Sequence, residues 1–89
     1  MTFGGIFIIS IVIPAYNEEK TLRKNLLEII KSLENFDYEL IVVDDGSKDA
    51  TWNIIKTLVN EIENLKGIRF SRNFGKEAAL LAGVSESKR

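Results

Sequence analysis

Two patterns of hydrophobic positions succeed one another along this chain: short apolar runs, and apolar residues recurring at helical spacing. Residues 7–13 form the first run, and Pro14 ends it by withdrawing a backbone donor. Leu22, Leu26, Ile29, Ile30 and Leu33 then recur at helical spacing. They predict an amphipathic helix from residue 18 to about 33, with Asn17 as its N-cap and Glu18 and Glu19 in its first turn. Residues 39–43 form the second strand, whose apolar run 40–43 is unbroken and rich in β-branched residues, as expected of a strand covered on both faces by helices. Gly46 breaks that strand and Ser47 caps a second helix, with Asp49 near its positive end and Ile54, Ile55, Leu58, Ile62 and Leu65 along one face. Lys66-Gly67 closes that helix, and residues 68–71 read as a short third strand. After the loop Arg72-Asn73-Phe74-Gly75, a third helix starts at Lys76 and runs through Ala78, Ala79, Leu80, Leu81 and Ala82, small enough to pack closely. Gly83 and the polar residues 85–89 leave its end unmarked.

The order β-α-β-α-β-α predicts an α/β fold with a parallel sheet, right-handed crossovers and three layers, as one unit over residues 1–89. Three strands make a thin sheet with two open edges, and open edges invite pairing with another chain or with further strands. A homo-oligomer joined through such an edge is therefore one expectation.

Composition narrows the chemistry. A net charge of -1 on 89 residues gives no electrostatic footprint for nucleic acid. The chain has neither Cys nor His, which removes thiol nucleophiles, disulfides, imidazole bases and the usual zinc ligands. The apolar stretch 6–13 is far short of the ~20 residues needed to span a bilayer, and no basic region precedes it. No transmembrane segment is expected in this chain.

Each predicted strand is followed by a loop rich in functional groups, and in a parallel sheet all three loops share one edge. That edge gathers Pro14, Tyr16, Asn17, Glu18 and Glu19, then Asp44, Asp45, Gly46 and Ser47, then Arg72, Asn73, Gly75 and Lys76. Helix N-termini with Arg and Lys suit a phosphate, and Tyr with Asp suits the ring and polar edge of a base or sugar. A nucleotide-bearing ligand is the simplest match. Adjacent residues of a strand point to opposite faces, so Asp44 and Asp45 divide their roles: one faces the ligand and the other ties down a loop. The flanking loops favour Asp45 for the ligand and Asp44 for structure. Each position also has a plainer reading. Asn17 and Ser47 read as helix caps, Glu18 and Glu19 as dipole partners, and Tyr16 as a cover for the sheet edge. Arg72 and Lys76 read equally as solvated charges, Trp52 as packing and Gly75 as a relaxed turn.

Three segments resemble the family 2 glycosyltransferases, inverting sugar-nucleotide enzymes of the GT-A fold: residues 10–19, residues 39–47 with Asp49 and Thr51, and residues 71–77. The run Arg72-Asn73-Phe74-Gly75-Lys76 is similar to the branch that loads sugars onto polyprenyl or dolichyl phosphate. The resemblance implies a UDP- or GDP-linked sugar as donor, with Pro14, Tyr16 and Glu18 in the first loop and Asp45 reading base or ribose. Arg72 and Lys76 would lie near the phosphates, and Asn17, Asp44, Gly46, Ser47 and Gly75 would shape the site. The family uses a divalent cation, Mg or Mn, held by an Asp-x-Asp motif after the third helix, and its catalytic base lies further on. Both fall beyond Arg89, so the resemblance assigns no catalytic residue and no metal ligand to these 89 residues. The chain alone is then expected to be inactive, and the longer parent to work from the cytoplasm at the membrane face. Two other readings remain. A receiver-like phosphoacceptor domain would carry its acid pair after the first strand, where this chain has Pro14-Ala15-Tyr16. A non-catalytic association module would use the open sheet edge.

Overall fold

The computed structural model describes residues 8–87. Three strands, β1 (Ile9–Ala15), β2 (Tyr38–Asp44) and β3 (Leu65–Arg69), alternate with three helices, α1 (Leu22–Ser32), α2 (Thr51–Glu61) and α3 (Lys76–Glu86). The strands are parallel in the order β1-β2-β3, with Ile9 opposite Tyr38 and Leu40 opposite Leu65. Strands that step in one direction through right-handed crossovers place both intervening helices on the same face. Accordingly Leu22 and Leu26 of α1 and Ile55 and Leu58 of α2 share one core with Leu40 and Val42. The other face belongs to α3, whose Ala79 packs on Ile41 and Val43. Residues 40–43 are wholly buried from both sides, which is why their run has no polar interruption.

Close packing of α3 depends on its small residues. A Cβ on Gly83 would stand 2.2 Å from Val12 Cγ1 of β1, so Gly83 is an interior contact and not the end of the helix.

Several predicted boundaries move. The Phe7 end of the first strand and the tail at Lys88-Arg89 lie outside the described residues. β1 continues past Pro14 to Ala15. Ile9 N–H donates to Asp37 O at 2.9 Å, so odd-numbered residues of β1 face β2 and Pro14 faces the edge that pairs with no other described strand, where its missing N–H breaks no bond to β2. Helix α1 begins at Leu22 and not at residue 18, because Asn17 sits in the left-handed region (φ 51°) and residues 18–21 form a turn closed by Leu22 N–H on Glu18 O at 2.9 Å. Ser47 does not cap α2, which starts at Thr51 after Ala50. Leu65, Lys66 and Gly67 belong to β3, not to the end of α2, and β3 stops at Arg69. Leu65 fits the helical period of Leu58 and Ile62, but pairing beside Leu40 in the buried sheet prevails. Gly67 suits the strand because Ile55 crosses over it: a Cβ there would meet Ile55 Cγ2 at 2.7 Å.

Candidate functional site

The three strands end together, so residues 16–21, 45–50 and 70–75 form one rim. The first two loops are clasped by side chains that hydrogen-bond the backbone of the opposite loop. Asn17 N–H donates to Ser47 Oγ at 2.8 Å, and Lys48 N–H donates to Asn17 Oδ1 at 2.8 Å. Glu18 N–H donates to Thr51 Oγ1 at 2.8 Å, Glu19 N–H to Asp49 Oδ2 at 3.2 Å, and Ala50 N–H to Glu19 Oε1 at 2.9 Å. Thr51 is fully buried, and its hydroxyl donates in turn to Asp49 Oδ1. Two opposing effects act on the half-buried Asp49: desolvation raises its pKa, and hydrogen bonds from the Thr51 hydroxyl, Thr51 N–H and Glu19 N–H lower it. The bonds prevail, and its carboxyl is held below the ordinary carboxylate value. Asn17, Ser47 and Glu19 thus join two loops, where the sequence alone suggested caps and dipole partners. The signal lay in the residue types, since Asn, Ser, Asp and Thr are the side chains that readily bond nearby backbone.

The two adjacent acids part as strand alternation requires. Asp44, with no exposed surface, turns toward the α1/α2 layer and accepts Ser47 N–H on Oδ1 at 3.0 Å. Asp45 turns to the β3–α3 loop. Its Oδ1 accepts Phe74 N–H at 2.8 Å, and its Oδ2 accepts Gly75 N–H at 3.1 Å and Asn73 Nδ2 at 3.2 Å. Asn73 Nδ2 also reaches Asp45 O at 3.2 Å. In the sequence Asn73 is only a member of its loop, and its tie to Asp45 has no signature of its own. Gly46 completes the junction. At φ 75° its missing Cβ would fall 2.2 Å from the carbonyl carbon of Arg72, so these two loops meet backbone to backbone. Gly75, at φ 103° with nothing near its missing Cβ, is there for conformation alone.

Pro14, Ala15, Tyr16, Glu18, Asp45 and Lys76 line one cavity of about 220 Å³ on this rim. It falls below the ~300–1,000 Å³ of pockets that enclose a whole drug-sized ligand, so it has room for only one end of a larger molecule. Tyr16 is 42% exposed, which leaves part of its ring surface open to solvent. Glu18 Oε2 accepts Tyr16 N–H at 3.3 Å, which steadies the first loop. Arg72 stands apart from the cavity. Its guanidinium lies 5.2 Å from the centre of the Phe74 ring, and Phe74 meets Phe70 edge to face at 5.5 Å. Sequence order places Arg72 beside Lys76, but this stacking holds its guanidinium over an exposed ring.

Among the described residues no group of three or more acids gathers in a way that could hold a metal ion. No helix among them is long and apolar enough to cross a membrane.

Comparison with known proteins agrees with this geometry. The pattern described as Glycosyl transferase family 2 matches residues 10–89. The chain is 39% identical over 89 residues to an undecaprenyl-phosphate 4-deoxy-4-formamido-L-arabinose transferase of Proteus mirabilis, covering 97% of this chain and 27% of that one. It is 42% identical over 87 residues to a dolichyl-phosphate beta-glucosyltransferase of Trichomonas vaginalis, covering 90% and 27%. It spans about a quarter of the length of these curated relatives. In three dimensions it superposes on the crystal structure of S. aureus TarS 1-349 with a TM-score of 0.78 at 28% identity, covering 92% of this chain and 25% of that one. The layered parallel fold is that of the GT-A glycosyltransferases. The matched region runs from β1 through all three rim loops, and the chain belongs to glycosyl transferase family 2.

Proposed function

We propose that residues 1–89 form the N-terminal, nucleotide-sugar-binding part of an inverting glycosyltransferase that moves a sugar from a UDP- or GDP-linked donor to a polyprenyl phosphate. The observation that carries this reading is the cavity where Pro14, Tyr16, Glu18, Asp45 and Lys76 meet at the strand ends. Tyr16 offers a face for a base. Asp45 is an acceptor-only group with about four lone-pair positions, three of them engaged by the loop, which leaves one for the ring N–H of uracil or guanine. Lys76 opens α3, so its ammonium and the positive end of that helix lie where the phosphates would follow. Arg72 joins them if its side chain leaves Phe74.

In the transfer, an oxygen of the acceptor phosphate forms the new bond to the sugar's anomeric carbon as the bond to the nucleoside diphosphate breaks. Negative charge grows on the leaving diphosphate, and Lys76 with the α3 N-terminus opposes it. An anionic phosphate acceptor needs little deprotonation. The names of the relatives, which carry undecaprenyl and dolichyl phosphates, support a polyprenyl acceptor, and with such an acceptor the longer enzyme would work at a membrane surface, the cytoplasmic face in this reading. The divalent cation that the family implies does not fit the described residues, since Asp44 is sealed, Asp45 keeps only one lone-pair position, and no third ligand joins them. No step here runs through it, and the 89-residue chain alone is expected to bind nucleotide without turnover. Self-association through the open edges of β1 or β3 belongs to the same proposal, and sedimentation would reveal it.

Calorimetry with UDP and GDP tests the reading. The expected result is binding of at least one of them at millimolar concentration or better, weakened by Tyr16→Ala. Failure of both to bind would leave association as the better account.

A further inference from the structure

The outward face of α1 concentrates positive charge in a chain whose net charge is -1. Leu22 and Leu26 are buried beneath the helix, and at 100° per residue the opposite crest carries Lys24, Leu27 and Lys31. Lys20, in the preceding turn, extends the same line. These residues, with Arg23 and Glu28, border a shallow open hollow, and Leu27 at its centre is 41% exposed. Arg23 is already paired with Glu61 at 2.9 Å, which leaves three lysines in the lining of this hollow against one acid, Glu28. The other helices lack this pattern: the exposed positions of α2 hold one cation, Lys56, and those of α3 hold one, Lys76, at its first residue.

We infer that α1 docks this protein, weakly and reversibly, on an anionic bilayer surface. Lys20, Lys24 and Lys31 would meet lipid headgroup charges, and Leu27 would enter the headgroup boundary between them. Charge complementarity selects an anionic partner. The apolar centre selects a bilayer over a polyanion in water, because a leucine gains nothing beside a sugar-phosphate backbone. The placement is also apt. Lys20 lies at the strand-end rim, where it borders a second hollow with three acids, Glu18, Glu19 and Asp49, so Lys24 and Lys31 carry most of the attraction and a membrane held along α1 lies beside the rim cavity.

This goes beyond the proposed function by naming a surface, and the two fail separately: nucleotide binding would survive the loss of membrane binding, and the reverse. The test is flotation of the 89-residue chain with phosphatidylcholine vesicles, with and without phosphatidylglycerol, at low salt. Binding is expected only where phosphatidylglycerol is present, with release at high salt as the Debye length shrinks. Each lysine near an anionic surface contributes about fivefold, so the triple variant K20Q/K24Q/K31Q should bind about a hundredfold more weakly. Leu27→Asn, with every charge kept, should lower binding severalfold. All four positions are exposed, and circular dichroism would show the fold retained. Equal binding to both vesicle types, no binding to either, or a triple variant that binds like the parent would overturn the inference. Binding to duplex DNA, lost in the triple variant, with none to vesicles would do the same.

Discussion

The two sides of the strand-end rim are built differently. Between the first and second loops, five hydrogen bonds run from the backbone of one to side chains of the other, drawing on Asn17, Glu19, Ser47, Asp49 and Thr51. The third loop, by contrast, draws its side-chain ties to the rest of the rim from one residue, Asp45, beside the backbone contact at Gly46, and leaves Arg72, Asn73, Phe74 and Lys76 exposed. A distributed clasp holds its geometry when one side chain is lost, whereas a loop whose side-chain ties all converge on one residue loosens with that residue. The proposed base end of the cavity is therefore preorganised, and the proposed phosphate end can adapt to what it binds.

Four perturbations would break or sharpen this contrast. The largest effect is expected from Gly46→Ala, which adds left-handed strain and a collision with the Arg72 backbone, for a loss of about 4 kcal/mol in urea unfolding. A cost below ~1 kcal/mol would mean the loops part easily and the backbone contact is incidental. Next, Asp45→Ala strips the partner from Phe74 N–H, Gly75 N–H and the Asn73 amide, and should lower stability by about 3 kcal/mol. Hydrogen exchange would read it locally: amides at 74 and 75 should speed up while those at 17–19 stay protected. Equal acceleration in both places would dissolve the contrast between tether and clasp. Thr51→Val removes the acceptor for Glu18 N–H and the donor to Asp49 at a fully buried site, at about 1–2 kcal/mol. With its other bonds intact the clasp should hold, and UDP or GDP affinity should fall only severalfold by calorimetry.

The smallest effect concerns pH. The folded-state pKa of Asp49 lies below its unfolded value, so its contribution is fully present above the unfolded value and is lost as pH falls through the folded one. Exchange of the Glu19 and Thr51 amides should therefore accelerate on acidification below about pH 4, and the parent's acid dependence there should flatten in Asp49→Asn. If that variant keeps the acid profile of the parent, Asp49 has no part in the clasp.

How much of this could be read from the chain follows from which interactions decide each feature. The buried strand at 40–43 declared itself because helices on both faces leave no position for a polar residue. The divergence of Asp44 and Asp45 was also legible, since alternation along a strand does not depend on its neighbours. Leu65 was ambiguous because a helix and a strand both accept it, and only the pairing with Leu40 resolves the choice. The clasp was hidden for a different reason. Asn17 and Ser47 are each good caps in isolation, and their partners lie about thirty positions away. Arg72 shows the same limit, because whether a cation faces solvent, a phosphate or a phenyl ring depends on its neighbours in space.

Pro14 has one further consequence. The even-numbered residues of β1 look outward, so a strand laid along that edge would meet complete peptide groups at Ser10 and Val12 and then, at Pro14, a carbonyl without its amide. Such a strand could zip upward from the foot of the sheet and would lose its next rung one residue below the rim. The proline acts as a stop in the zipper: it fixes how far any added strand can climb and keeps the mouth of the cavity clear.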